Sequence, residues 1–288
     1  MKRSFWRKLL RIAGLSLVLI LVVLSVLAYR FISPKSDAQI LKTFEGEKHQ
    51  PHIRISDFRG KEIRVIEMQE KRDTMLPSLV FVHGSPGSSM DFKRYLKDEA
   101  LNEHFNIIAY DRVGYSDRNP GAPLNSVDEE VELLHTIVSE YEIDKTTVLG
   151  YSYGGTVVMA SPLDYRQKVA LAAAVKGELE PLFWALKLYE WRWTRPMLPG
   201  VLRAASEEKM RHIQELTGDD ERWKESPSNV LAVHGKKDFI VPYQNSMYLA
   251  ELLGDRLELV TLQDGDHALI WTEFELIKKL LLRKIEKP

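Results

Sequence analysis

Three short stretches of this 288-residue chain, Leu79-Val80-Phe81-Val82, Ile107-Ile108-Ala109 and Thr147-Val148-Leu149, show no polar face. A strand with one wet side alternates apolar and polar residues. A strand that does not alternate is covered on both sides, as in parallel sheets flanked by helices. Helical patterns fall between these runs. The clearest spans residues 126–141, where Val131, Leu134 and Val138 mark one face and Ser126 with Glu129 reads as a capping box. This alternation predicts an α/β domain with a mostly parallel sheet and right-handed crossovers. Ahead of it, Ile53 and Ile55, then Ile63 and Val65, alternate with polar residues on either side of Arg59-Gly60, the pattern of a hairpin with one wet face. The rhythm resumes at 169–175 and then breaks. Residues 177–227 carry helix-like patches, Pro181, Pro196, Pro199 and no clear strand, so they read as an insertion between two sheet strands. Strand signals return at 230–233 and at Leu257–Leu262, and a helix from about Ala268 follows.

The front of the chain is different. Lys2, Arg3, Arg7, Lys8 and Arg11 stand in residues 1–11 without an acid, although the whole chain carries 40 basic and 41 acidic residues and a formal net charge of -1. That balance gives no reason to expect a nucleic-acid partner. Residues 12–29 then contain no charge and no proline. As a helix they would extend roughly 27 Å, close to the hydrocarbon thickness of a bilayer. The reading is a basic cytoplasmic tail (1–11), a single transmembrane anchor (12–29), a polar linker (30–50) and one folded domain (51–288). A cleavable signal peptide ending near Val26-Leu27-Ala28 is the alternative, with an apolar run longer than such peptides usually carry. Five cations before the run against Arg30 and Lys35 after it place the folded domain on the outer, extracytoplasmic side. The chain has no cysteine, which excludes disulfides and thiol chemistry.

Two motifs carry chemistry. Gly150-Tyr151-Ser152-Tyr153-Gly154 matches G-x-S-x-G where a buried strand gives way to a small-residue helix. A sharp turn there would expose the Ser152 hydroxyl at the sheet edge, beside a helix N-terminus that favours developing negative charge. His83-Gly84-Ser85-Pro86-Gly87 follows the first fully buried strand. A glycine- and proline-rich loop is often only a turn, but in this arrangement it supplies one backbone N–H of an oxyanion hole, from Ser85. Tyr153, after the nucleophile, supplies the other. His83 reads as structural.

With Asp111-Arg112-Val113-Gly114-Tyr115-Ser116 between them, these motifs stand in the order usual for the α/β-hydrolase superfamily. Residues 50–285 resemble its capped branch, which includes epoxide hydrolases, haloalkane dehalogenases, proline iminopeptidases and carboxylesterases. A serine in place of the aspartate nucleophile departs from the first two. Ser85 and Tyr153 depart from the H-G-G-P-G loop and the tryptophan typical of iminopeptidases. The resemblance implies the α/β-hydrolase fold, with residues 177–227 as a helical cap and the chain order nucleophile, acid, histidine. Asp238, in Val233-His234-Gly235-Lys236-Lys237-Asp238, and His267, in Gln263-Asp264-Gly265-Asp266-His267, fall at the matching positions. Chemistry explains the set. A serine hydroxyl needs a base, imidazole titrates near neutrality, and a carboxylate fixes its tautomer. Asp264, Asp266, Glu178 and Glu180 are the other conceivable acids. Asp111 and Arg112 read as a salt bridge holding adjacent loops.

Phe183, Trp184, Tyr189, Trp191 and Trp193 crowd into the insertion. They either pack the cap onto the body, or Trp184, Trp191 and Trp193 line a substrate pocket, or they meet a bilayer surface. The expected activity is hydrolysis of a small-molecule ester or lipid-like substrate through an acyl-enzyme, with no metal and no cofactor. The same triad acting on an amide or carbon–carbon bond is the enzymatic alternative, and a scaffold with an inactive hydrolase body is the non-enzymatic one. The histidines show no metal-ligand spacing of the H-E-x-x-H kind.

Overall fold

A computed structural model describes residues 11, 12, 14–16, 19, 20, 23, 29, 33–218 and 221–283, and divides the chain into a unit at residues 1–33 and a unit at residues 34–288. In the first unit all described residues but Ser33 are helical. Among the described residues no helix is long and apolar enough to cross a membrane. The anchor expected at 12–29 falls in good part on residues outside the described ones, as do residues 1–10 of the basic tail.

The second unit is built on one eight-stranded sheet: β1 (His52–Phe58), β2 (Lys61–Glu67), β3 (Ser78–Val82), β4 (Asn106–Tyr110), β5 (Thr146–Tyr151), β6 (Gln167–Leu171), β7 (Val230–Gly235) and β8 (Leu257–Leu262). The strand order is β1-β2-β4-β3-β5-β6-β7-β8. β1 and β2 pair antiparallel, as β2 does with β4, and every other pairing is parallel. Arg59 and Gly60, both at positive φ, turn the β1–β2 hairpin. β3, β4, β5, β6 and β7 are buried along their whole lengths, including polar residues such as Gln167 and Lys168 at the start of β6.

The six longer helices of this unit are α1 (Asp37–Thr43), α2 (Val127–Val138), α3 (Tyr153–Ala160), α4 (Gly200–Glu215), α5 (Gln244–Leu253) and α6 (Phe274–Arg283). One core cluster gathers α2, α3 and α5 against Val80, Val148 and Ala170. A second gathers α1 and α6 against Phe81, Leu149 and Val169. Successive residues of one strand thus serve opposite layers.

Three expectations need correction. The segment read as a linker carries α1, capped by Ser36 and Gln39 and docked through the fully buried Ile40 and Phe44. Seven residues, about two turns, give too little periodicity to notice, although the Ser-x-x-Gln cap was there to be read. β2 has no wet face, because Arg64 is buried among Asp37, Asp111 and Asp117. Its charges are satisfied by residues far away in sequence, so alternation misreports its burial. At α2, Ser126 accepts from the Glu129 N–H, but the Glu129 carboxylate accepts from the Asn125 N–H and pairs with Arg59 instead of closing a capping box.

Candidate active site

β5 runs into α3 through a single residue, Ser152, at φ 54 and ψ -122. A side chain there is strained, and such a conformation persists only when its surroundings determine it. Here they do. The Ser152 N–H donates to the Leu171 carbonyl of β6 at 2.9 Å, and its carbonyl accepts from Gly155 N–H at 2.9 Å. The turn closes because Gly150 and Gly154 lack side chains. A Cβ on Gly150 would collide with the Gly154 backbone, and one on Gly154 with the Val82 carbonyl.

The loops after β7 and β8 deliver the partners. His267 Nε2 lies 3.1 Å from Ser152 Oγ, and its Nδ1 lies 2.7 Å from Asp238 Oδ2. A carboxylate accepts, so Nδ1 carries the proton and the Nε2 lone pair faces the hydroxyl. The Tyr151 hydroxyl holds the loop by donating to the His267 carbonyl at 2.7 Å. Burial alone would raise the Asp238 pKa. Hydrogen bonds from His234, His267 and the Val241 N–H outweigh burial and hold it well below the usual carboxylate range. Its second oxygen accepts from the Ile240 and Val241 N–H groups at 2.9 and 2.8 Å. Three of the rival acids are engaged by other partners. Asp264 pairs with Lys237, Asp266 accepts from the Ala268 N–H, and Glu180 pairs with Lys209. Glu178 lies in the short 3-10 turn Gly177–Leu179.

The loop after β3 faces Ser152: a Cβ added to Gly84 would stand 3.0 Å from the Ser152 Cβ. No backbone acceptor takes the Ser85 or Tyr153 N–H among the described residues. His83 packs beneath. Its Nε2 accepts from the Arg112 N–H at 2.9 Å and its Nδ1 donates to the Gly84 carbonyl at 2.8 Å. Burial first, then the Arg112 charge, lowers its pKa well below the usual histidine value, so it stays neutral. Asp111 and Arg112 do not pair with each other. Asp111 binds Arg64 and the Ser89 N–H, while Arg112 binds Glu130 of α2 and Glu208 of α4. Arg112 also donates to the Gly84 carbonyl at 3.2 Å. Tyr115 completes the set. Its hydroxyl donates to Glu208 at 2.7 Å and meets Ser85 Oγ at 2.7 Å.

A cavity of about 390 Å³ opens over Ser152. The body side contributes Ser85, Pro86, Tyr153 and Val241, and the insertion covers it with Phe183, Leu186, Leu188, Leu198 and Leu202. The Glu180–Lys209 pair and His212 interrupt this apolar wall. His212 is buried, and burial, then Lys209 and Arg112, lowers its pKa to about 3, which keeps it neutral. Among the described residues no group of three or more histidine or carboxylate side chains is placed to hold a metal ion.

The model of a family described as the alpha/beta hydrolase family matches residues 79–275, more than half of the chain. The chain belongs to the alpha/beta hydrolase family. A protein of Agrobacterium fabrum, provisionally named a carbamate hydrolase, is 26% identical to this hydrolase over 254 residues, covering 75% of this chain and 96% of its own. A proline iminopeptidase of Saccharolobus solfataricus is 34% identical over a shorter stretch of 93 residues, 31% of this chain and 30% of that one. Among solved structures, a meta-cleavage product hydrolase of Pseudomonas fluorescens superposes with a TM-score of 0.62 at 21% identity, over 79% of this chain and 95% of its own. That last likeness is one of fold.

In this alpha/beta hydrolase, then, Ser152, Asp238 and His267 come together, with Ser85 and Tyr153 beside them. Trp184, Trp191 and Trp193 do not join the cavity, which corrects their assignment as substrate-binding residues. They are 78, 58 and 86% exposed, and their neighbours Phe183, Leu186 and Leu188 form the wall. Ring size suggested a pocket, but the 3-10 turn and short helix of residues 184–190 turn the smaller side chains inward. Sequence reasoning missed Tyr115, Glu130 and Glu208. Tyr115 lies inside a motif already singled out, whereas the two glutamates sit in ordinary helical patterns and give no local sign that they meet Arg112.

Proposed function

We propose that this alpha/beta hydrolase cleaves carboxylic esters through an acyl-enzyme on Ser152. One observation carries the reading: a strained serine at a strand-to-helix junction, 3.1 Å from an imidazole whose other nitrogen is held at 2.7 Å by a buried carboxylate. Ser152 Oγ attacks the ester carbonyl carbon as its proton passes to His267 Nε2. The carbonyl oxygen becomes an oxyanion, stabilised by the Ser85 and Tyr153 N–H groups and the N-terminus of α3. The tetrahedral centre collapses, the C–O bond to the alcohol breaks, and the alkoxide leaves with the proton from His267. Water then repeats the sequence on the acyl-enzyme, releasing the acid and returning the proton to Ser152. Asp238 stays ionised throughout and stabilises the imidazolium.

The apolar cavity supports acyl groups longer than acetyl. Burial at about 0.8 kcal/mol per methylene raises kcat/KM about fourfold per added carbon until the wall is reached. Assays on p-nitrophenyl esters of increasing length test this, with Ser152→Ala abolishing turnover at unchanged thermal stability. Equal rates across lengths would remove the pocket, and full activity in the variant would remove the mechanism. Hydrolysis of an amide, carbamate or carbon–carbon bond by the same groups is the second reading, favoured by the names of the relatives. The uncharged run at 12–29 further supports a body tethered to a membrane on its outer side. Cleavage of residues 34–288 by protease added outside intact spheroplasts is the expected result, and protection lost only when that membrane is permeabilised would contradict it.

A further inference from the structure

We infer that residues 182–197 form a bilayer-docking surface that presents the mouth of the cavity to lipid, so that this hydrolase takes substrates partitioned into a membrane. The inference rests on the ester-hydrolase reading for its substrate class, and on separate observations for the surface. Within sixteen residues the insertion exposes Leu182, Trp184, Trp191, Trp193 and Met197, with Trp193 86% and Met197 80% exposed. Globular surfaces scatter single apolar residues, but a run of large ones marks an interaction site. Its occupant is argued from three features. Indole rings, apolar in body with one polar N–H, favour the interface between headgroups and acyl chains. Exposed cations stand among them, with Lys187, Arg192 and Arg195 against the single acid Glu190, which complements an anionic membrane surface. And the chain carries its own charge-free run at 12–29, separated from the cap of α1 at Ser36 only by residues 30–35.

The same segment builds the cavity. Phe183, Leu186 and Leu188 line it while their neighbours face solvent. A hydrophobic ester lying at the interface would therefore pass between side chains of one segment, without crossing water, to reach Ser152.

The absence of cysteine makes the test direct. Full-length protein is reconstituted in vesicles of equimolar phosphatidylcholine and phosphatidylglycerol, carrying one spin label through Trp193→Cys or, as a control, through Met75→Cys. Met75 is 86% exposed, in the loop between β2 and β3. Collision with oxygen should place the label at 193 in the lipid phase and the label at 75 in water. A label at 193 that stays in water overturns the inference and leaves the patch to a protein partner. The variant Trp184→Ser/Trp191→Ser/Trp193→Ser should lose about tenfold or more in turnover of a long-chain ester embedded in vesicles. It should keep full turnover of a water-soluble short ester. Equal loss on both substrates also overturns the inference. Failure of the unsubstituted protein on every ester would contradict the hydrolase reading instead, and the label depth, which needs no activity, would still decide the surface.

Discussion

Asp238 shows how much one side chain fixes at this site. Both of its oxygens are used: one by the Ile240 and Val241 N–H groups, the other by His267 Nδ1, with His234 Nε2 3.3 Å away. Asp238→Asn should keep the backbone bonds but set an NH2 donor against His267. The ring would then protonate on Nε2 and face Ser152 with an N–H, lowering kcat by about 10³- to 10⁴-fold with little change in KM. Pre-steady-state acylation kinetics read that loss. Asp91 makes a different prediction. Burial first, with Asp111 adding to it, raises its pKa to about 6 against the pull of the Ser88 N–H. A carboxyl raised on folding favours the folded state below its unfolded pKa, near 4, and that contribution is lost as pH rises through 6. Asp91→Asn should therefore gain about 1–2 kcal/mol relative to the parent at pH 8, discounted for partial exposure, and nothing at pH 4. Urea melts at the two pH values check this. An equal shift at both would assign the effect to lost hydrogen bonding.

Among the elements, α4 has the most to explain. Through Glu208 it reaches Arg112, and through Tyr115 it reaches Ser85, so the cap helix and the loop after β3 share one buried network. Burial disfavours the Arg112 charge, but the Glu130 and Glu208 carboxylates outweigh it, raising its pKa well above the ordinary value. Glu208→Gln removes one of those charges and should destabilise the protein by about 2–4 kcal/mol, below the cost of deleting a buried partner outright because the amide still accepts a hydrogen bond. Chemical denaturation measures it, and a change under 0.5 kcal/mol would place the network in water. The elements also show what a sequence can display. The strands were legible because burial on both faces is written in consecutive residues of β3, β4 and β5. So was Ser152, because its turn needs glycines two positions to either side, and Asp238 and His267 came with the order of the motifs. The link from Glu208 to Arg112 was not legible. It joins residues 96 apart, and neither the motif around Arg112 nor the helix around Glu208 signals the other. Nor was the outward placement of Trp184, Trp191 and Trp193, since irregular backbone gives no period from which to read a face.

On the scale of the whole molecule, the sheet brings together groups that the chain keeps far apart. Ser152 and His267 are separated by 115 residues, yet they meet because β5, β6, β7 and β8 run parallel and release their loops at one edge. The insertion between β6 and β7 then closes an apolar cavity over that edge, and a dry cavity would strengthen each N–H that faces a developing oxyanion there. Everything proposed about activity follows from one nucleophile in that place. The most direct measurement is the intact mass of the protein after exposure to a fluorophosphonate, with the adduct located by peptide mapping. A single adduct on Ser152, lost in His267→Gln and blocked by a competing ester, is the expected result. No adduct in a folded protein, or one on any other serine, would contradict the account.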